Sequence, residues 1–162
     1  MIQINVGIGD YTISQNPETV IKTFGLGSCI ALIALEPKIR AAGLMHIAMP
    51  TSEINLEKSL EKPAYFVDTA VPLMLKKMSK IGGNNRGEGL IIKLIGGAQI
   101  ADFTQRFNIG KRNILALRKC FWKLRIPISA EDTGGKISRT VCLDVRNGKI
   151  SITSSSRKSW II

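Results

Sequence analysis

The chain has 162 residues, with 23 lysines and arginines against 12 aspartates and glutamates, a formal charge of +11 at neutral pH. That length fits one domain, which should bury roughly 70% of its extended surface. No apolar run approaches the roughly 20 residues that span a bilayer, and the opening Met1-Ile2-Gln3-Ile4-Asn5 lacks the basic head and apolar block of a secretory signal.

Ile2 to Val6 alternates apolar with polar, as a half-buried strand does. Gly7 to Asp10 supplies a turn, and Tyr11 to Ser14 should pair back on the first strand as a hairpin. Val20 to Phe24 reads as a short strand running into the bend Gly25-Leu26-Gly27-Ser28. Ile30 to Leu35 is continuously apolar, with the length of a buried strand, and Glu36-Pro37-Lys38 ends it. Ala41 to Ala48 would be the returning strand. A hairpin-like layout would then set His46 close to the start of the strand that follows Cys29. Thr51 to Lys62 is polar and expected to be a surface loop. Val67, Val71, Met74, Met78 and Ile81 fall on one helical stripe, so Pro72 must lie in a first turn or kink the helix. Gly82 to Gly89 is a loop, and Leu90 to Ile95 a central strand.

A second helix opens at Ile109, buries Ile114, Leu117, Phe121 and Leu124, and stops before Pro127. Ile128 to Glu131 is a short strand. Ile137, Val141, Leu143 and Val145 sit at strand spacing, with Arg139 interrupting that face, and Asn147-Gly148 turns the chain back through Lys149 to Thr153. The basic tail, residues 154–162, ends in Trp160-Ile161-Ile162 and should be loose or used in a contact. Several strands and two main helices argue a single layered α+β domain over residues 1–153, with helices packed on a mixed or antiparallel sheet.

Three cysteines at wide spacings argue against a disulfide framework and for a reducing cytoplasm. A small buried hydrophobe is the ordinary role of cysteine. Cys29 differs from Cys120 and Cys142 in following a glycine bend, where a thiol can stand exposed beside free backbone N–H groups, at Gly27 and Ser28, that could hold an oxyanion. His46 is the only histidine. It is the one candidate for the proton acceptor that a thiol of pKa about 8.5 requires, and otherwise a hydrogen-bonded histidine at a strand end. A third group should orient the ring. Thr23, Asp102, Asp132 and Asp144 are candidates that spacing does not separate. One histidine and three scattered cysteines have no zinc-ligand spacing, and no cofactor motif is present. The basic charge fits a solubilising surface, steering towards an acidic protein, or nucleic acid. Few aromatics are interleaved with the basic residues, which argues against the last.

Taken together, Thr23-Phe24-Gly25-Leu26-Gly27-Ser28-Cys29, Gly43-Leu44-Met45-His46 through Pro50, Ile95-Gly96-Gly97-Ala98, Ile109 to Asn113 and Ile126 to Gly135 resemble the CheD family of chemoreceptor glutamine deamidases. The resemblance runs from about Val6 to Ile152. It implies a layered fold similar to bacterial toxin deamidases, and a Cys–His–Thr triad falling on Cys29, His46 and Thr23. It implies conversion of receptor glutamines to glutamate in chemotaxis adaptation, on cytoplasmic helices that carry acidic methylation segments. It also implies the phosphatase CheC as a partner. The competing reading is a binding module, without catalysis, that regulates CheC or a receptor.

Overall fold

The structure is a computed structural model that describes residues 1–100 and 106–162. It is α+β, with two five-stranded mixed sheets. The first has the order β1 (Ile2–Asn5), β3 (Thr19–Leu26), β8 (Arg139–Asp144), β9 (Ile150–Ser154) and β10 (Ser159–Ile161). The second has the order β2 (Tyr11–Ser14), β5 (Ala41–Ile47), β4 (Ile30–Glu36), β6 (Ile91–Gly96) and β7 (Ile128–Thr133). Three helices, α1 (Leu56–Glu61), α2 (Val67–Lys80) and α3 (Ile109–Leu124), complete the described fold.

Two cores define the layers. Ile21, Val141, Leu143, Ile150 and Ile152 of the first sheet meet Ala31, Ile33, Ala42, Leu44 and Ile95 of the second. The other face of the second sheet, with Ile30, Leu32, Met45, Ile92 and Leu94, packs under Val71, Met74 and Met78 of α2 and Leu117 and Phe121 of α3. Strand β4 is therefore covered on both faces. That burial is why its sequence is continuously apolar rather than alternating.

Four sequence expectations change. β1 and β2 are not a hairpin: β1 pairs parallel with β3, and β2 pairs antiparallel with β5 in the other sheet. Both are edge strands of their sheets, and their partners lie far away in sequence. The 51–62 stretch is not a plain loop. It holds a 3-10 turn at Ser52–Ile54 and then α1, whose N-terminal cap is Asn55, accepting from Lys58 N at 2.9 Å. α1 buries nothing, so no apolar stripe announces it. Helix α2 begins at Val67, leaving Pro72 inside it at an exposed position, while Val67, Ala70, Val71, Met74 and Met78 anchor the buried side. Leu124 and Ile81 end their stripes exposed, at 42% and 36%.

Residues 159–161 pair antiparallel with β9 as the edge strand β10, and Trp160 Nε1 donates to Asp132 Oδ2 at 2.7 Å. No helix among the described residues is long and apolar enough to cross a membrane.

Candidate active site

Two strands and the bend just before a third, β4, supply the three side chains. β4 and β5 pair with Ala31 opposite His46. Cys29 precedes Ala31 by two residues and so shares its face, one step along the sheet from the imidazole. That face looks towards the first sheet, where Cys29 packs against the inter-sheet cluster. Thr23 lies on β3 opposite Val141. It points into the same space from the other side, two residues along from buried Ile21.

Thr23 is wholly buried and His46 is 2% exposed. Thr23 Oγ1 donates to the Val6 carbonyl at 2.7 Å and stands 2.7 Å from His46 Nδ1. A hydroxyl has one proton. With that proton on the carbonyl, the oxygen accepts from Nδ1–H, and Nε2 carries the lone pair. Nε2 is buried and has no partner among the described residues. No hydrogen bond joins it to Cys29 Sγ in the free protein. Burial pulls the imidazole down to about 4, against the opposing pull of Asp10 and the Val6 carbonyl. Burial also pushes the Cys29 thiol up to about 11. The resting pair is a neutral thiol and a neutral imidazole.

The imidazole has a stability consequence. Its folded pKa lies below the unfolded value, so its contribution is complete above pH 6.5 and is lost as pH falls through about 4. The shift corresponds to about 3 kcal/mol. In urea unfolding, the gap in stability between wild type and His46→Asn should shrink by about that amount from pH 7 to pH 4. A gap that does not change with pH would show that the imidazole is not held neutral.

The corner before the sulfur is anchored at three successive carbonyls. Gly25 sits at φ 64°, within a β-bulge between Thr23 and Leu26. Ala98 N donates to Gly27 O at 2.7 Å, Asn113 Nδ2 to Ser28 O at 3.0 Å, and Gly97 N to Cys29 O at 2.9 Å. Among the described residues nothing accepts from the N–H groups of Ser28 and Cys29. Gly96, at φ 116°, lies so near the Cys29 carbonyl that a Cβ there would overlap its oxygen. Behind this loop, Gly134 N donates to Gly96 O at 2.8 Å. Buried Arg139 holds Gly134 O at 3.0 Å and Asp132 Oδ1 at 3.1 Å.

The structure thus brings Thr23 and His46 together and turns Cys29 onto their face. Asp132 binds Arg139 and Trp160 instead, and Asp144 accepts from Arg146 N at the β8–β9 turn. Asp102 lies outside the described residues. Cys120 and Cys142 are half-buried on α3 and β8. Sequence reasoning missed the Val6 carbonyl, the charge of Asp10 and the amide of Asn113. Only the last left a signal, a polar residue on the stripe Ile109, Asn113, Ile114, Leu117 and Phe121 that α3 buries. Among the described residues no three or more His, Cys, Asp or Glu side chains gather as metal ligands.

Residues 48–154 match the family described as CheD chemotactic sensory transduction. Curated relatives extend the likeness over the whole chain. A probable chemoreceptor glutamine deamidase CheD of Syntrophotalea carbinolica is 43% identical over 162 residues, all of both chains. Another, from Syntrophus aciditrophicus, is 39% identical over 96% of each chain. A third, from Anaeromyxobacter dehalogenans, is 38% identical over 97% of this chain and 98% of its own.

Proposed function

Since the chain belongs to the CheD family, we propose that it hydrolyses glutamine side-chain amides of chemoreceptors to glutamate, with Cys29 as nucleophile, His46 as base and Thr23 as the group that orients the ring. One observation carries the reading. Thr23 Oγ1, committed to the Val6 carbonyl, holds Nδ1–H at 2.7 Å and leaves a buried, unpartnered Nε2 on the face that Cys29 shares. A histidine serving only the fold would be expected to use both nitrogens.

The glutamine carboxamide enters beside Cys29. The thiol proton passes to His46 Nε2 as the sulfur–carbon bond forms. Because thiol and imidazole both start neutral, the charge develops only with the substrate in place. The carbonyl oxygen, now an oxyanion, takes the N–H groups of Ser28 and Cys29. One such donor typically contributes about 3 kcal/mol to the barrier. His46 Nε2–H then protonates the departing nitrogen, ammonia leaves, and a thioester remains. Water, deprotonated by the same Nε2, attacks the thioester. The thiol recovers its proton and the side chain leaves as glutamate. The +11 charge would steer the protein towards acidic receptor helices.

The test is mass spectrometry of receptor incubated with the protein. Each site should gain about one dalton, and Cys29→Ala should leave the receptor mass unchanged. A gain that persists in Cys29→Ala would remove this sulfur from the chemistry. No mass gain with the wild type on any receptor would favour the binding-module reading instead.

A further inference from the structure

Asn113 is a fully buried asparagine in the first turns of α3, well inside the apolar stripe. Its Nδ2 spends both protons on backbone. One goes to Ser28 O at 3.0 Å and the other to Ala48 O at 3.0 Å. The two carbonyls belong to the two arms of the site, one just before the sulfur and one just after the imidazole. Its Oδ1 is buried with no partner among the described residues. An amide flip would turn that oxygen onto two carbonyl oxygens, so the orientation is fixed by the acceptors. A buried amide that leaves its own oxygen unpaired is costly.

A trans peptide places its N–H opposite its C=O, and every peptide bond among the described residues is trans. Pinning Ser28 O towards α3 therefore aims the Cys29 N–H the other way. Ala98 N does the same for the Ser28 N–H by holding Gly27 O at 2.7 Å.

We propose that Asn113 is a positioning residue that aims the Cys29 N–H at the developing oxyanion and fixes the sulfur's corner against the end of the imidazole's strand. The role of that N–H rests on the thiol-amidase reading above; the clamp itself does not.

Two reactions of Cys29 separate this role from general support of the fold. Acylation by p-nitrophenyl acetate passes through a tetrahedral oxyanion. Alkylation by iodoacetamide at the same pH starts from the same thiol and forms no oxyanion. In Asn113→Ala the acylation rate should fall about a hundredfold while alkylation stays within about threefold of wild type. Asn113→Ser keeps one donor and should lose less. It carries the comparison if the alanine variant does not fold. The part of each signal that is lost in Cys29→Ala, which keeps Cys120 and Cys142, belongs to this sulfur. Acylation and alkylation falling together, or acylation unchanged in a folded variant, would overturn the proposal. Neither reagent is a receptor. A wild type that is acylated yet leaves receptor glutamines intact would sink the deamidase reading and leave this comparison valid.

Discussion

Thr23→Val is expected to lower kcat for receptor glutamine by about a thousandfold while leaving KM nearly unchanged, because a wrongly protonated ring is one of the costliest single losses in a triad. Valine has the shape of threonine without the hydroxyl. The Val6 carbonyl and His46 Nδ1–H both lose the partner that stands 2.7 Å from each. Without that acceptor only the weaker pull of the Val6 carbonyl is left to favour the proton on Nδ1. Any molecule that moves it to Nε2 has no base facing Cys29. Two unsatisfied buried groups should also cost about 1–3 kcal/mol each. Thr23→Ser separates the two effects, since it restores the hydroxyl and should recover the rate to within about tenfold of wild type. Initial rates by receptor mass shift decide it. A Thr23→Val protein within tenfold of wild type would mean that something else orients the ring.

The second large effect is expected at Gly96→Ala. The residue sits at φ 116°, where an L side chain is strained, and the added methyl would overlap the Cys29 carbonyl oxygen. Strain and overlap together should cost about 3 kcal/mol, or a fall of about 10 °C in Tm. The methyl cannot be accommodated without moving the corner that bears the sulfur, so kcat should fall with Tm. Gly134→Ala is the control. Gly134 is also left-handed, at φ 81°, but nothing lies within 4 Å of the position its Cβ would take. It should lose only the conformational part, about 1 kcal/mol. Thermal unfolding of the two variants side by side checks this. If they melt together, the close approach at Gly96 is not a constraint.

The local pieces of the fold were legible in the chain. The apolar block from Ile30 to Leu35 is the strand covered on both faces, and the stripes of α2 and α3 do enter the core. The glycine bend before Cys29 and the single histidine were readable because a chemically distinctive residue needs few companions to stand out. The layout that pairs β4 with β5 follows from one short connection. What stayed hidden is what depends on distant pairing. Nothing between Ile2 and Ser14 says that the chain leaves one sheet and joins the other across the turn at Gly7 to Asp10. That crossing is what carries the Val6 carbonyl to Thr23 and Asp10 to the ring. Backbone carbonyls have no sequence signature, so the contribution of Val6 was invisible. Thr23, Asp132 and Asp144 were equivalent by spacing. Only the packing of one sheet on the other separates a threonine that reaches the imidazole from aspartates that do not.

The imidazole stands on one sheet and the sulfur at the entrance to its neighbouring strand, whereas the hydroxyl that holds the ring's proton comes from the other sheet. A molecule whose two halves have drifted apart would keep thiol and imidazole side by side but lose the hydroxyl that sets the ring's tautomer. On the proposed triad, catalysis would thereby be restricted to the fully closed protein, and a partly melted copy would spare bystander glutamines.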